Sequence, residues 1–162
     1  MSAITVRPAR AGEARLLTDL CLRSKAHWGY DAAFMRQAAT GLDVTDDDIA
    51  AGEVFVAEDP AGRALGIYAL DVDGATVDLD RMFVDPAAIG TGVGRALFAH
   101  AVARATTHGC TTMTILADPN AAPFYERMGA VFVRMAPSDT IPGRELPFYH
   151  LALRPGESAC DE

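Results

Sequence analysis

The stretch VDLDRMFVDPAAIGTGVGRALFAHAVARAT, residues 77–106, decides how this chain folds. Val77, Leu79, Arg81 and Phe83 alternate with Asp78, Asp80, Met82 and Val84, the period of a β-strand. Asp85-Pro86 ends the strand, and three glycines, Gly90, Gly92 and Gly94, follow within five residues. Beyond them Leu97, Ala101 and Ala105 recur at spacing four with Phe98 and Val102 beside them, so a helix buries that side. Without a Cβ, glycines let the backbone come close to a ligand. These stand at a helix start, where N–H groups are unpaired and the positive end of the dipole points outward. Such a bend binds phosphates. It is not a P-loop, because Gly94 is followed by Arg95-Ala96 rather than Lys-Ser/Thr. It is not a dinucleotide fingerprint either, since the spacing is G-x-G-x-G and no early βαβ unit precedes it.

Upstream, Ile4–Pro8 reads as a first strand stopped by proline, and Leu16, Leu17, Leu20 and Cys21 make one face of a helix from Ala11 to Ser24. Asp31 is placed to cap a second helix through about Thr40, and residues 43–52 read as a loop with a short helical turn. Val54–Glu58 and Leu65–Leu70 are strands joined by Asp59-Pro60-Ala61-Gly62, and Asp73-Gly74 turns the chain into the strand at Val77. Downstream come a strand at Thr112–Ala117 and a short helix at Ala121–Met128 stopped by Gly129. The last strands are Val131–Val133 and Leu146–Leu153, where Pro147 predicts an edge position or a bulge.

The 162 residues suit one domain, residues 1–153, with a polar, loose tail over 154–162. No apolar run approaches the ~20 residues of a membrane span, and no basic flank with an apolar core announces export. Cys21, Cys110 and Cys160 are odd in number and lack metal-type spacing, so a cytoplasmic protein is expected. Net charge is −8 with a single lysine, Lys25, which argues against nucleic acid and favours a cationic substrate such as an amine.

Residues 84–94 resemble the acyl-CoA-binding motif of the GNAT superfamily of N-acyltransferases, Arg/Gln-x-x-Gly-x-Gly/Ala after a strand with an aliphatic end. Gly92 and Gly94 match its glycines and Val84 its strand end, while Ile89 stands where the family has Arg or Gln. The run Asn120-Ala121-Ala122-Pro123-Phe124-Tyr125-Glu126-Arg127-Met128-Gly129-Ala130 resembles the family's second signature, with Ala130 where an aromatic is usual. The element order β-αα-βββ-α-β-α-ββ is that of the family as well, so the resemblance covers nearly the whole chain. It implies an α/β (α+β) fold of bacterial type, with a mixed, mostly antiparallel central sheet of about seven strands flanked by about four helices.

By the same resemblance the chain is expected to be an acetyl-CoA-dependent N-acetyltransferase. It would act by direct attack in a ternary complex on a small or terminal primary amine, with no metal and no membrane, and with room for a homodimer. The alternative is an acetyl-CoA-binding sensor that has lost catalysis. Met82, Phe83 and Val84 would hold the pantetheine arm, Ile89, Gly90, Thr91, Gly92, Val93, Gly94 and Arg95 the pyrophosphate, and Asn120 the arm again. Tyr125 would protonate the leaving thiolate: a phenol of pKa ~10 faces a thiol of ~8.5. Asp78 and Asp80, on one strand face, would bind the amine or take its proton. His27, Trp28 and Tyr30 would line the acceptor pocket through aromatic faces suited to a cation. His100 and His108 read as the exposed side of a helix, without a role.

Overall fold

The structure, a computed structural model, describes residues 3–154. The tail over 154–162, Arg154 apart, and with it Cys160, lies outside the described residues. Seven strands form one sheet in the order β1-β2-β3-β4-β5-β7-β6. They are β1 (Thr5–Pro8), β2 (Val54–Glu58), β3 (Ala64–Asp73), β4 (Thr76–Val84), β5 (Thr112–Leu116), β6 (Val131–Pro137) and β7 (Glu145–Ala152). Every neighbouring pair is antiparallel except β4 with β5. The helices are α1 (Ala14–Ala26), α2 (Ala32–Leu42), α3 (Asp46–Ala50), α4 (Val93–Thr107) and α5 (Ala122–Arg127). No helix among the described residues is long and apolar enough to cross a membrane.

The sheet separates two cores. On one face α4 and α5 bury Leu97, Phe98, Ala101 and Tyr125 against Val77, Leu79, Met113 and Ile115. On the other, Leu17, Leu20 and Cys21 of α1 and Ala38 of α2 pack on Val56 and Ile67, with Phe83 beside them. Each fully buried aliphatic side chain of this kind contributes about 1.5–3 kcal/mol. Gly66 in β3 lets α4 sit close to the sheet: a Cβ there would lie 2.9 Å from Leu97 Cδ1 and 3.2 Å from Val93 Cγ1. The start of α4 is thereby held beside the end of β4.

Several elements differ in extent from the sequence reading. α1 begins at Ala14, because Gly12 turns at φ 92° and Glu13 uses its carboxylate on Arg7 and on the Arg10 N–H. α2 starts where expected, with the Asp31 carboxylate accepting from the Phe34 N–H at 2.8 Å. Asp46–Ala50 carries a capping box on Thr45 and Asp48. Pro147 is not at a sheet edge, since β7 lies between β5 and β6. Its missing N–H falls beyond the last paired residue of β5, and the irregularity is on the neighbouring strand, between Phe132 and Arg134 of β6.

The strict alternation expected along β4 is also broken. Ala69 pairs with Arg81 but Leu70 with Leu79, so Asp80 has no partner on β3 and forms a β-bulge. Val77 and Leu79 face the α4 core, and beyond the bulge Met82 and Val84 take that side while Phe83 joins the α1 core. Arg81 turns to α3, where it meets Asp48 at 3.3 Å.

Candidate active site

The parallel pairing of β4 and β5 is short. It joins Thr76, Val77 and Asp78 to Thr112, Met113 and Thr114, and stops there. From Leu79 to Val84 the side of β4 turned toward β5 has no strand partner, so its N–H and C=O groups stand unpaired along a wedge. A cleft of about 780 Å³ occupies the wedge. It opens to both faces of the sheet: Gly92, Gly94 and Tyr125 line it from the α4–α5 side, and Ser24, Lys25 and Trp28 from the α1 side.

On the α4 side the site is mostly main chain. Gly90 and Gly92 have φ of 84° and 93°, conformations that side chains with a Cβ rarely adopt, and nothing would stand within 4 Å of a Cβ at either. The first helical bond runs from the Ala96 N–H to the Gly92 carbonyl, leaving the N–H groups of Val93, Gly94 and Arg95 without helical acceptors. A Cβ on Gly94 would stand 3.4 Å from the Phe124 ring, so the glycine lets α5 close on the loop. Met82, Phe83, Val84, Ile89, Gly90, Arg95 and Asn120 all border the cleft. Thr91 and Val93 do not: the Thr91 hydroxyl folds onto the Ala88 carbonyl, and the Val93 side chain is in the core. Arg127 of α5 borders the cleft too and had no signal in the sequence.

Tyr125 is buried beside Phe98 and Phe124, and its ring borders the cleft. The turn after α5 pins its backbone: the Ala130 N–H returns to the Tyr125 carbonyl at 3.0 Å across Gly129, whose φ is 100°. Burial first, and then the nearby Asp118 charge, push its phenol well above the ordinary value. The phenol is therefore protonated at neutral pH, and it is a weaker acid than the free value of ~10 implies.

Asp78 and Asp80 come together on the α1 side of the sheet. The Asp78 carboxylate accepts from the Thr114 hydroxyl at 2.7 Å, and Asp80 borders the cleft. Burial raises the Asp78 pKa against the bond from Thr114, and Asp80, Asp71 and Asp139 raise it further. Asp80, its side chain half-exposed, is raised too, by partial desolvation against the pull of Arg81, with Asp71, Asp48 and Asp139 adding to it. Of the three acceptor-side aromatics only Trp28 borders the cleft, 42% exposed, with His27 edge-on to it at 5.0 Å.

Tyr30 instead belongs to a polar network with Asn120 and with Lys25, Asp118 and Arg144, to which the sequence reading gave no role. The Asp118 carboxylate, just past β5, accepts from Lys25 Nζ at 2.6 Å and from the Tyr30 hydroxyl at 2.8 Å. Its other oxygen accepts from the Asn120 main-chain N–H at 2.8 Å and the Asn120 side chain at 3.0 Å. The Tyr30 hydroxyl accepts in turn from Arg144 Nη2 at 2.8 Å and Asn120 Nδ2 at 3.2 Å. Burial alone would raise the Asp118 carboxyl, but the bonds from Lys25, the Asn120 N–H and Tyr30 outweigh it and hold it below the usual range. The loop from β6 to β7, which carries Asp139 and Arg144, rests on α2 at Gly41, where a Cβ would stand 2.5 Å from Thr140 Oγ1. His100 is half-buried rather than exposed, bonded to the Tyr68 hydroxyl at 2.7 Å, and His108 caps the end of α4 beside Glu53.

Residues 50–129 match the family model described as an acetyltransferase (GNAT) domain. Among solved structures, a GCN5-related N-acetyltransferase from Rhodopseudomonas palustris superposes with a TM-score of 0.76 at 21% identity, over 94% of this chain and 98% of that one. PaiA N-acetyltransferase from Thermoplasma acidophilum, in complex with coenzyme A, gives 0.75 at 13% identity over 93% and 99%. The YncA protein of Salmonella typhimurium, with its cofactor acetyl-CoA, gives 0.67 at 22% identity over 99% of both chains. At these identities the likeness is one of fold. No curated protein sequence matches this one.

Proposed function

The chain belongs to the GNAT superfamily of acetyltransferases, and from that premise we propose that it transfers an acetyl group from acetyl-CoA to the primary amine of a small molecule or to a terminal amine. The observation that carries this reading is the wedge between β4 and β5, with an unpaired strand edge on one wall and the glycine-capped start of α4 at its mouth. The wall suits an extended amide-bearing arm, which can bond to the strand as another strand would. The free N–H groups of Val93, Gly94 and Arg95 suit a pyrophosphate. Two solved relatives of the same fold hold coenzyme A or acetyl-CoA.

When bound, acetyl-CoA supplies a thioester carbon open to attack by an amine. Around it, this chain's residues have separate duties. Main-chain groups of Met82, Phe83 and Val84 orient the arm. Asp80, beside the cleft and with its pKa raised, takes the proton that an amine must lose, directly or through water, while Asp78 and Thr114 hold the neighbouring backbone. The Tyr125 hydroxyl, kept protonated by burial, gives its proton to the departing sulfur. Direct attack with both substrates bound fits these residues, since both cysteines described are buried away from the cleft and Cys21 is a poor nucleophile.

The test is thiol release from acetyl-CoA over a panel of amines, followed across pH. A base must be deprotonated to act, so turnover rises with pH through its pKa, and raised carboxylates move that limb above the ordinary aspartate value of ~3.9. Asp80→Asn should remove the limb. An unchanged profile in that variant would take the base role from Asp80.

A further inference from the structure

On the α1 face of the sheet the cleft has an apolar wall that belongs to neither core. Along β5, Met113 and Ile115 point into the α4 core, so Thr114 and Leu116 take the opposite face. Along β7, Tyr149 enters that same core, which turns Leu146 and Phe148 to the α1 face beside Leu116, the register partner of Phe148. Leu116, Leu146 and Trp28 all border the cleft, and none of the three is packed into either core.

The ends of β4 and β5 set a carboxylate against this wall. Their parallel register stops at Asp78 with Thr114, and two residues further along, Asp80 and Leu116 border the opening from its two sides. Leu146 comes next on β7, two residues past the partner of Leu116. Of the two carboxylates that border the cleft on this side, Asp118 is taken up by Lys25, Tyr30 and Asn120. Asp80 receives no hydrogen bond among the described residues, and its ion-pair contact, Arg81 Nε, is 3.9 Å away. Lys25 and Arg81, the cations bordering the cleft here, each sit against a carboxylate, Asp118 and Asp48. The charge left open to a ligand is the negative one of Asp80, with apolar surface around it.

We infer that the acceptor is a primary amine on an apolar body, aromatic or branched aliphatic, with its nitrogen at Asp80 and its body against Trp28, Leu116 and Leu146. The inference rests on the acetyl-transfer reading of the same cleft. The carboxylate gives the ammonium its place, and each CH2 taken out of water against the wall adds about fourfold in affinity. An aromatic body adds a ring contact with Trp28. A second charge on the body would lose its water against Leu116 and Leu146, neither of which can bond it.

Trp28, the only tryptophan, reports acceptor binding without turnover. CoA-loaded protein is titrated with n-alkylamines from ethylamine to hexylamine, with phenethylamine and isoamylamine, and with ethanolamine, putrescine and phenylalanine. Trp28 emission is followed, with calorimetry alongside. Affinity should climb about two- to fourfold per methylene before it levels off, and phenethylamine should bind at least ~10-fold more tightly than ethanolamine, putrescine or phenylalanine. Thiol release from acetyl-CoA should rank the compounds in the same order. A peptide that begins with phenylalanine tells the source: binding like phenethylamine assigns the apolar amine to a chain end, weaker binding to a small molecule. Leu146→Asn should flatten the series and bring the phenethylamine-to-ethanolamine ratio toward one, chiefly through KM, whereas Leu146→Met should keep it. Should Leu146→Asn fold poorly, Leu116→Ala and the wild-type series still decide. The inference is overturned if the series is flat, if a charged or hydroxylated amine binds as well as phenethylamine, or if Leu146→Asn leaves the ratio intact. Failure of the acetyl-transfer reading has a different signature: no CoA binding by calorimetry, or apolar amines that bind in the expected order and are never acetylated.

Discussion

On the α4 side of the cleft, the groups available to a ligand are largely main-chain N–H groups and glycines from one stretch, residues 82–95. On the α1 side they are side chains from distant parts of the chain, Lys25, Asp80 and Asp118, the last held from behind by Tyr30 and Arg144. The first kind of site depends on backbone conformation, so Ile89 can stand where the motif it resembles has Arg or Gln. The second depends on the identity of each side chain, because charges and hydroxyls do the holding. One fold can thus keep its donor half constant and change what it acts on through a few substitutions in the other half.

Four variants break or sharpen this contrast. The largest effect is expected on the main-chain side. Gly92→Asp sets a side chain at φ 93°, at about 1–3 kcal/mol of strain, and adds negative charge where a pyrophosphate would lie. CoA affinity should fall at least ~10³-fold, about 4 kcal/mol, by calorimetry. Unchanged affinity would show that the α4 start is not the phosphate site.

Second is Asp118→Asn, which leaves Lys25 and Arg144 together without their carboxylate. Breaking a buried pair in this way costs about 3–5 kcal/mol, measured as unfolding free energy in denaturant. The sign with pH follows from the lowered Asp118 carboxyl. A depressed carboxylate stabilises the fold above its ordinary pKa and loses that as pH falls through the lowered one, so variant and wild type should converge in acid. A gap that stays constant down to the acid limb would mean that the carboxylate's charge is not what the network uses.

Third, Tyr125→Phe keeps the ring and its packing and removes only the hydroxyl proton. Turnover should drop ~10²-fold with little change in CoA affinity, the usual worth of a general acid. Equal turnover would leave the thiolate departing unaided. The smallest effect is a gain. Ile89→Arg, exposed at the mouth of the cleft, should tighten CoA about 2–5-fold, the scale of an exposed ion pair, and the gain should fade in high salt.

The same contrast explains what could be read in the sequence. Glycines at fixed offsets, a helical period from Leu97 to Ala105, and Gly129 after an aromatic pair are local signals, and they carried the order of elements and the α4 side of the cleft. Arg144 carries no such signal, because it acquires meaning only when β7 comes to lie beside β5 and the β6–β7 loop reaches Tyr30. Asp118 read only as the end of a strand and Lys25 only as the single lysine, just past the first helix, for the same reason. Tyr30 read as an acceptor-pocket aromatic, whereas its hydroxyl joins Asp118, Arg144 and Asn120. Pro147 misled because proline is common at edges, whereas here the partner strand β5 ends before its missing N–H would be needed.

The bulge at Asp80 inserts one residue into β4 and shifts its parity. Before it, odd-numbered residues of β4 face α4; after it, even-numbered ones do. Any residue at position 80 preserves that count, so substitutions there can alter the chemistry while the strand end stays put. Removing the residue would restore plain alternation, with Leu79, Met82 and Val84 still toward α4 and Phe83 toward α1. The extra residue therefore adds a carboxylate and a kink beside the cleft without changing what the end of the strand packs against.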